Sequence, residues 1–216
     1  NVEGQIQNQT FYQKVFSREM QALQDWISHI DEELLDKTVE ALLNADHILV
    51  TGARSSYHAA NWFGNRLNLL LGNTHIIQEF YDPRFDLLNH ITDKTVVISI
   101  AFARYTKWTY RYADSAKKMG ATLVSITDSV SSPFFNISHY TILAAPVKDS
   151  MGFSSPICMY CLFDAIISKI HDERKDMIVE RLKQYEDTYR DFDMYYELTP
   201  LYNFFIKKYR TGLSDV

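Results

Sequence analysis

Two hydrophobic periods take turns along the chain. Five short runs are almost continuously apolar or β-branched: HILVT (47–51), THIIQ (74–78), TVVISIA (95–101), TLVSIT (122–127) and YTILAA (140–145). Runs of this length and character suit parallel strands covered on both faces. Between them the spacing becomes helical. Residues 56–71 place Ala59, Ala60, Phe63, Leu67 and Leu70 on one stripe, and residues 106–119 do the same with Ala113, Ala116 and Met119. Gly72 and Gly120 follow these segments where a left-handed residue commonly ends a helix. Strand and helix alternating at this interval predict βαβ units with right-handed crossovers. The expected fold class is therefore α/β, a three-layer α/β/α sandwich around a five-stranded parallel sheet.

Helical segments flank that block. Residues 16–45 read as two helices with a break near Ser28–Asp31, and Leu34, Leu35, Val39, Leu42 and Leu43 recur at helical spacing. Asp31 suits an N-cap, with Glu32 and Glu33 in the positive first turn. A long helix is expected over 154–170, capped by Ser154 or Ser155 and carrying Pro156 in its first turn. From residue 173 the chain is charged and rich in tyrosine and phenylalanine. Two helices separated near Pro200 are expected there, packing on the domain or on a second subunit. The organisation predicted is a helical connector over 1–45, a binding domain over 46–172 and a helical extension over 173–216.

Composition narrows the class. The 216 residues hold one domain with an appendage, and the 46% apolar fraction is enough to fill its core. No segment approaches the ~18 apolar residues of a membrane span, and the first residues lack the apolar stretch of a secretory leader. Two cysteines, Cys158 and Cys161, make no disulfide framework and point to a reducing cytoplasm. They have C-x-x-C spacing but lie inside an apolar helical stretch, so they are expected to pack and not to act as a redox pair. The net charge of −5, with acids and bases interspersed, argues against this chain gripping a nucleic-acid backbone. Neither H-x-x-x-H nor H-E-x-x-H spacing occurs, so no metal and no cofactor are expected.

The chemistry is concentrated in two loops. In LVTGARSSYHAANWF (49–63) a strand hands over to a helix through Gly52, Arg54, Ser55 and Ser56. Glycine permits a tight turn and a close backbone approach. The serine hydroxyls, the free N–H groups of a first helical turn and the forked guanidinium together suit a phosphate or a carboxylate. The plainer reading is a capped helix start, because serine is a favoured N-cap. Neither G-x-G-x-x-G nor the P-loop pattern is present. The third strand runs into FARYTKWT (102–109), which again brings a cation and a hydroxyl, Arg104 and Thr106, followed by Lys107. If strands one and three are neighbours across a switch in strand order, both loops face one crevice.

Four stretches in series carry a resemblance: LLNADHILVTGARSS, DKTVVISIAFARYTKWT, SAKKMGATLVSITDSVSSPF and FSSPICMYCLFDAI. Over residues 16–170 the chain resembles the sugar isomerase (SIS) domain of the MurR/RpiR family of bacterial transcriptional regulators. The resemblance implies a flavodoxin-like sheet, a homodimer or tetramer, and a sugar phosphate or related small anionic metabolite in the crevice. It also implies contact with DNA through a helix-turn-helix domain upstream of residue 1, with the first helix here as its connector; the chain is then read as an excised effector domain, the alternative being a natural protein without a DNA-reading head. Carried over by position, the phosphate site maps onto Gly52, Ser55 and Ser56. The third-strand loop of SIS domains resembles S-x-S-G-x-T. Here it reads Ala101, Phe102, Ala103, Arg104, Tyr105 and Thr106, so both serines and the glycine are replaced and Thr106 alone remains. A guanidinium at Arg104 can stand in for the lost hydroxyls with a charge-assisted pair; the alternatives are a ligand other than a sugar phosphate, or a pocket that has lost its ligand.

An SIS isomerase needs a positioned general base. His58, Glu79, His90 and His139 are the candidates. The isomerase pattern carries glutamate before the threonine of the third-strand loop, where this chain has Tyr105. The expectation is therefore a phosphosugar-sensing domain without catalytic residues. A sugar-phosphate isomerase is the first alternative and a dimerisation module without ligand the second.

Overall fold

The computed structural model describes residues 10–79, 83–144, 148 and 155–192. Two N-terminal helices, α1 (Phe11–Ile27) and α2 (Glu32–Leu43), precede β1 (His47–Gly52), α3 (Ser55–Leu71) and β2 (Thr74–Ile77). A 3-10 segment (Pro83–His90) leads into β3 (Thr95–Ile100), α4 (Lys107–Lys118), β4 (Thr122–Thr127), β5 (Tyr140–Leu143), α5 (Ile157–Glu173) and α6 (Lys175–Asp191). All five strands pair in parallel in the order β2-β1-β3-β4-β5. Strand order reverses between β1 and β3, which lie side by side with Gly52 opposite Ile100. Loops after these two strands must therefore diverge to opposite faces and leave a crevice at the carboxyl edge.

Alternate strand residues fill two cores. Ile48, Val50, Val96, Ile98, Ile100, Val124 and Ile126 face α2, α3 and α5, while Leu49, Val97 and Leu123 face α4 and Phe134. Both faces of the sheet are thus covered, as the near-continuous apolar runs predict. The α3 stripe is buried at Ala59, Ala60, Phe63, Leu67 and Leu70, and the Phe63 and Phe163 rings stack at 4.3 Å to lock α3 onto α5. α3 ends at Gly72 with φ 80, the left-handed C-cap. α6 continues the packing. Ile178 is buried, and Arg181 donates to the carbonyls of Leu69 (3.0 Å) and Asn68 (3.2 Å), satisfying the last turn of α3.

The elements depart from the sequence reading in a few places. Asp31 does cap α2, accepting from the Leu34 N–H at 2.9 Å. α5 starts at Ile157, not 154, with Pro156 at its N-cap position; Ser155 Oγ accepts from the Ile157 N–H at 3.4 Å, and Ser154 lies outside the described residues. The 3-10 segment has no counterpart in the sequence reading. Of the two C-terminal helices expected, the first is α6 and the break at Pro200 falls outside the described residues. No described helix is long and apolar enough to cross a membrane.

Candidate functional site

Gly52 closes β1 against both neighbouring turns. A Cβ there would stand 2.7 Å from the Ser56 carbonyl oxygen and 3.1 Å from that of Ile100. Only hydrogen fits, which holds the first turn of α3 against the end of β3. The turn itself is made further on. The Ser56 N–H donates to the Ala53 carbonyl at 3.2 Å, and Arg54, at φ 57 and ψ −125, occupies the first central position of a type II′ turn. That position favours glycine, so an arginine there carries backbone strain.

This geometry decides between the two readings of the serines. The N-cap of α3 is Arg54 and it makes no side-chain capping bond, so Ser55 and Ser56 stand in the first helical turn. Among the described residues neither hydroxyl has a hydrogen-bond partner, and neither the Arg54 nor the Arg104 guanidinium has an acid. Capping does not account for the serines.

The second loop is pinned from β4. Asp128, just past the end of that strand, accepts from the Ala103 N–H at 3.1 Å and from the Tyr105 hydroxyl at 2.7 Å. Thr127 donates to the Ala101 carbonyl at 2.7 Å. Thr106 is the N-cap position of α4, and its hydroxyl pairs with that of Thr109 at 2.7 Å in place of a capping bond. Burial first, and then the bond to Asp128, push the Tyr105 phenol above its ordinary value, so it stays protonated at neutral pH. Asp128 was not among the residues expected at the site. Its stretch, SITDS, is quoted in the resemblance, but only the fold reveals that its carboxylate crosses to the third-strand loop.

The two loops meet. Arg54, Ser55, Ser56, Arg104 and Thr106 line one crevice of about 390 Å³, floored in part by Ile100 and Phe102. Five of the six expected residues thus share it, and the sixth, Gly52, sets how closely its walls approach. α3 and α4 both begin here, and neither carries an acid in its first turn. Two positive helix ends and two exposed guanidiniums give the crevice an anion-collecting field.

None of the four candidate bases lines this crevice. His139 accepts from the Leu123 N–H at 2.9 Å near the start of β4, at the far edge of the sheet. Burial and Lys117 hold its pKa below the usual value. His90 ends the 3-10 segment that precedes β3, again away from the carboxyl edge. His58 is exposed on α3 beside the Tyr57 ring, 6.0 Å away, and Glu79 follows β2. In α5 Cys158 is buried, which pushes its thiol up to about 11, and burial raises Cys161 as well. Both behave as packing residues.

A 2-1-3-4-5 parallel sheet with an anion-collecting crevice at its switch point defines a doubly wound α/β protein. Residues 41–169 match the model of the SIS domain, more than half of the chain, and the protein belongs to that family. Its fold is shared by the sugar isomerase domain of an RpiR transcription factor from Sphaerobacter thermophilus, with TM-score 0.76 at 22% identity over 83% of this chain and 99% of that one. The Vibrio vulnificus NanR protein, solved in complex with ManNAc-6P, superposes with TM-score 0.73 at 17% identity over 88% of this chain and 73% of that one. Among curated sequences, a glutamine–fructose-6-phosphate aminotransferase (isomerizing) from Thermococcus kodakarensis is 29% identical over 61% of this chain and 22% of its own length. A second, from Sulfurisphaera tokodaii, is 29% identical over 52% of this chain and 18% of its own length. The chain thus spans about a fifth of the curated relatives it matches.

Proposed function

We propose that this chain is the effector-binding domain of an RpiR-type transcriptional regulator and that its crevice senses a phosphorylated sugar. The observation that carries the reading is the convergence of Arg54, Arg104 and the Ser55 and Ser56 hydroxyls, all without described partners, on one crevice at the β1/β3 switch point. The complex of NanR with ManNAc-6P supports the ligand class, because that protein shares the fold. Binding acts through linkage. The ligand favours one arrangement of a homodimer over another, and a helix-turn-helix domain upstream changes its spacing on DNA.

An isomerase is the second reading. It is favoured by the curated isomerizing relatives and by a fold neighbour from Methanococcus jannaschii whose structure was taken to infer 3-hexulose-6-phosphate isomerase function. The crevice walls speak against it, since none of the four candidate bases lines them and Tyr105 holds its proton. Calorimetric titration with a panel of sugar monophosphates tests the first reading. Ser56→Ala and Arg54→Ala each weaken binding by ~1–3 kcal/mol, the usual cost of losing a bond to a charged group. Unchanged affinity in both variants removes the site. NMR of the same mixtures separates the readings, because a sensor returns its ligand unaltered and an isomerase interconverts aldose and ketose.

A further inference from the structure

A second hollow of about 320 Å³ lies beside the crevice, bounded by Tyr105, Tyr110, Lys107, Arg111 and Pro133. Thr106 lines both cavities. Lys107 and Arg111 are four residues apart on α4, so both emerge on the side that faces the hollow. The fold gains nothing from that placement. Like charges at this spacing repel, and a lysine in the first turn opposes the helix dipole. Among the described residues neither forms an ion pair. Asp114 is engaged by Lys118 at 2.6 Å further along α4, and Asp128 is engaged by the Ala103 N–H and Tyr105. Four cations without acid partners among the described residues therefore border two adjacent cavities that share Thr106, in a chain whose net charge is −5. A single phosphate, at about −1.5 to −2, balances Arg54 and Arg104 and leaves Lys107 and Arg111 facing each other.

Building on the phosphosugar reading of the crevice, we propose that the ligand carries an anionic group at each end. One phosphate sits between Arg54 and Arg104. A second phosphate or a carboxylate sits between Lys107 and Arg111, with the carbon skeleton passing over Thr106 and against the Tyr105 and Tyr110 rings. The ligand class is thus a sugar bisphosphate or a phosphorylated sugar acid, not a simple sugar monophosphate.

Titration calorimetry with glucose 6-phosphate, glucose 1,6-bisphosphate and 6-phosphogluconate tests this on the full chain. The wild type binds at least one of the doubly anionic compounds about tenfold or more tighter than the monophosphate, the scale of one added bond to a charged group. Lys107→Ala with Arg111→Ala, both at exposed positions, removes that advantage. Which doubly anionic compound wins identifies the second group as phosphate or carboxylate. If all three compounds bind alike, or the advantage survives the double substitution, the two-ended ligand is wrong while the crevice reading stands. If none binds, the crevice reading falls and takes this inference with it.

Discussion

Arg54 is held at φ 57 and ψ −125 in a turn whose first central position favours glycine. Replacing it with glycine and with alanine separates the role of the backbone from that of the guanidinium. A non-glycine residue in so sparsely populated a region costs of order 1–3 kcal/mol. Glycine removes that strain but loses roughly 0.5–1 kcal/mol more chain entropy on folding. The side chain is exposed and has no described hydrogen bond or ion pair, so no folded-state contact offsets the gain. Arg54→Gly is therefore expected to be more stable than Arg54→Ala, and than the wild type, by about 1 kcal/mol, which is about 2–4 °C in Tm for a chain of this size. Both variants bind a sugar phosphate about tenfold or more weakly than wild type, because each lacks the guanidinium. Urea midpoints and thermal melts read the first effect, and calorimetry the second. If Arg54→Gly is no more stable than Arg54→Ala, the turn is not strained as described. If Arg54→Gly binds normally, the guanidinium does not face the ligand.

Three other substitutions probe the scaffold. Gly52→Ala drives a methyl into two backbone carbonyls and is expected to cost about 1–3 kcal/mol and to weaken binding as well; wild-type urea midpoint and affinity together contradict the close approach. Tyr105 has its pKa raised above its ordinary value near 10, so its contribution is fully present below that pH and is lost as pH rises through the folded value. Tyr105→Phe should accordingly lose stability at pH 7–9 and show a shallower decline above pH 10 than wild type in pH-dependent melts; parallel curves over that range contradict the Asp128 anchor. Arg181→Ala leaves the Leu69 and Asn68 carbonyls at the end of α3 without their side-chain donor and costs about 1–2 kcal/mol by urea titration; an unchanged midpoint means α6 does not brace α3.

The parts of the fold that local chemistry dictates were legible in the sequence. All five strands were, because each is a nearly unbroken apolar run, and β1, β3 and β4 at the centre of the sheet are covered on both faces. Gly72 and Gly120, at φ 80 and φ 108, marked the helix ends because few other residues adopt that backbone. The 3-10 segment at 83–90 has neither period, and nothing in its composition announced it. At the site, the two loops and five crevice residues were visible from the pairing of cation and hydroxyl after strands one and three. The assignment of roles within them was not. Propensity places a cap on serine and a turn on Gly52, whereas the structure puts the cap position and the positive φ on Arg54. Asp128 escaped because its partners, Ala103 and Tyr105, lie more than twenty residues away, a contact that no local spacing encodes.

Backbone amide shifts of the 15N-labelled chain, followed while a sugar phosphate is added, give the most direct test of the shared crevice. Saturable shifts are expected to concentrate in 52–57 and 101–107, the two loops together, and to vanish in Arg54→Ala with Arg104→Ala. Shifts confined to one loop, or clustered at the opposite edge of the sheet around His90 and His139, would contradict it.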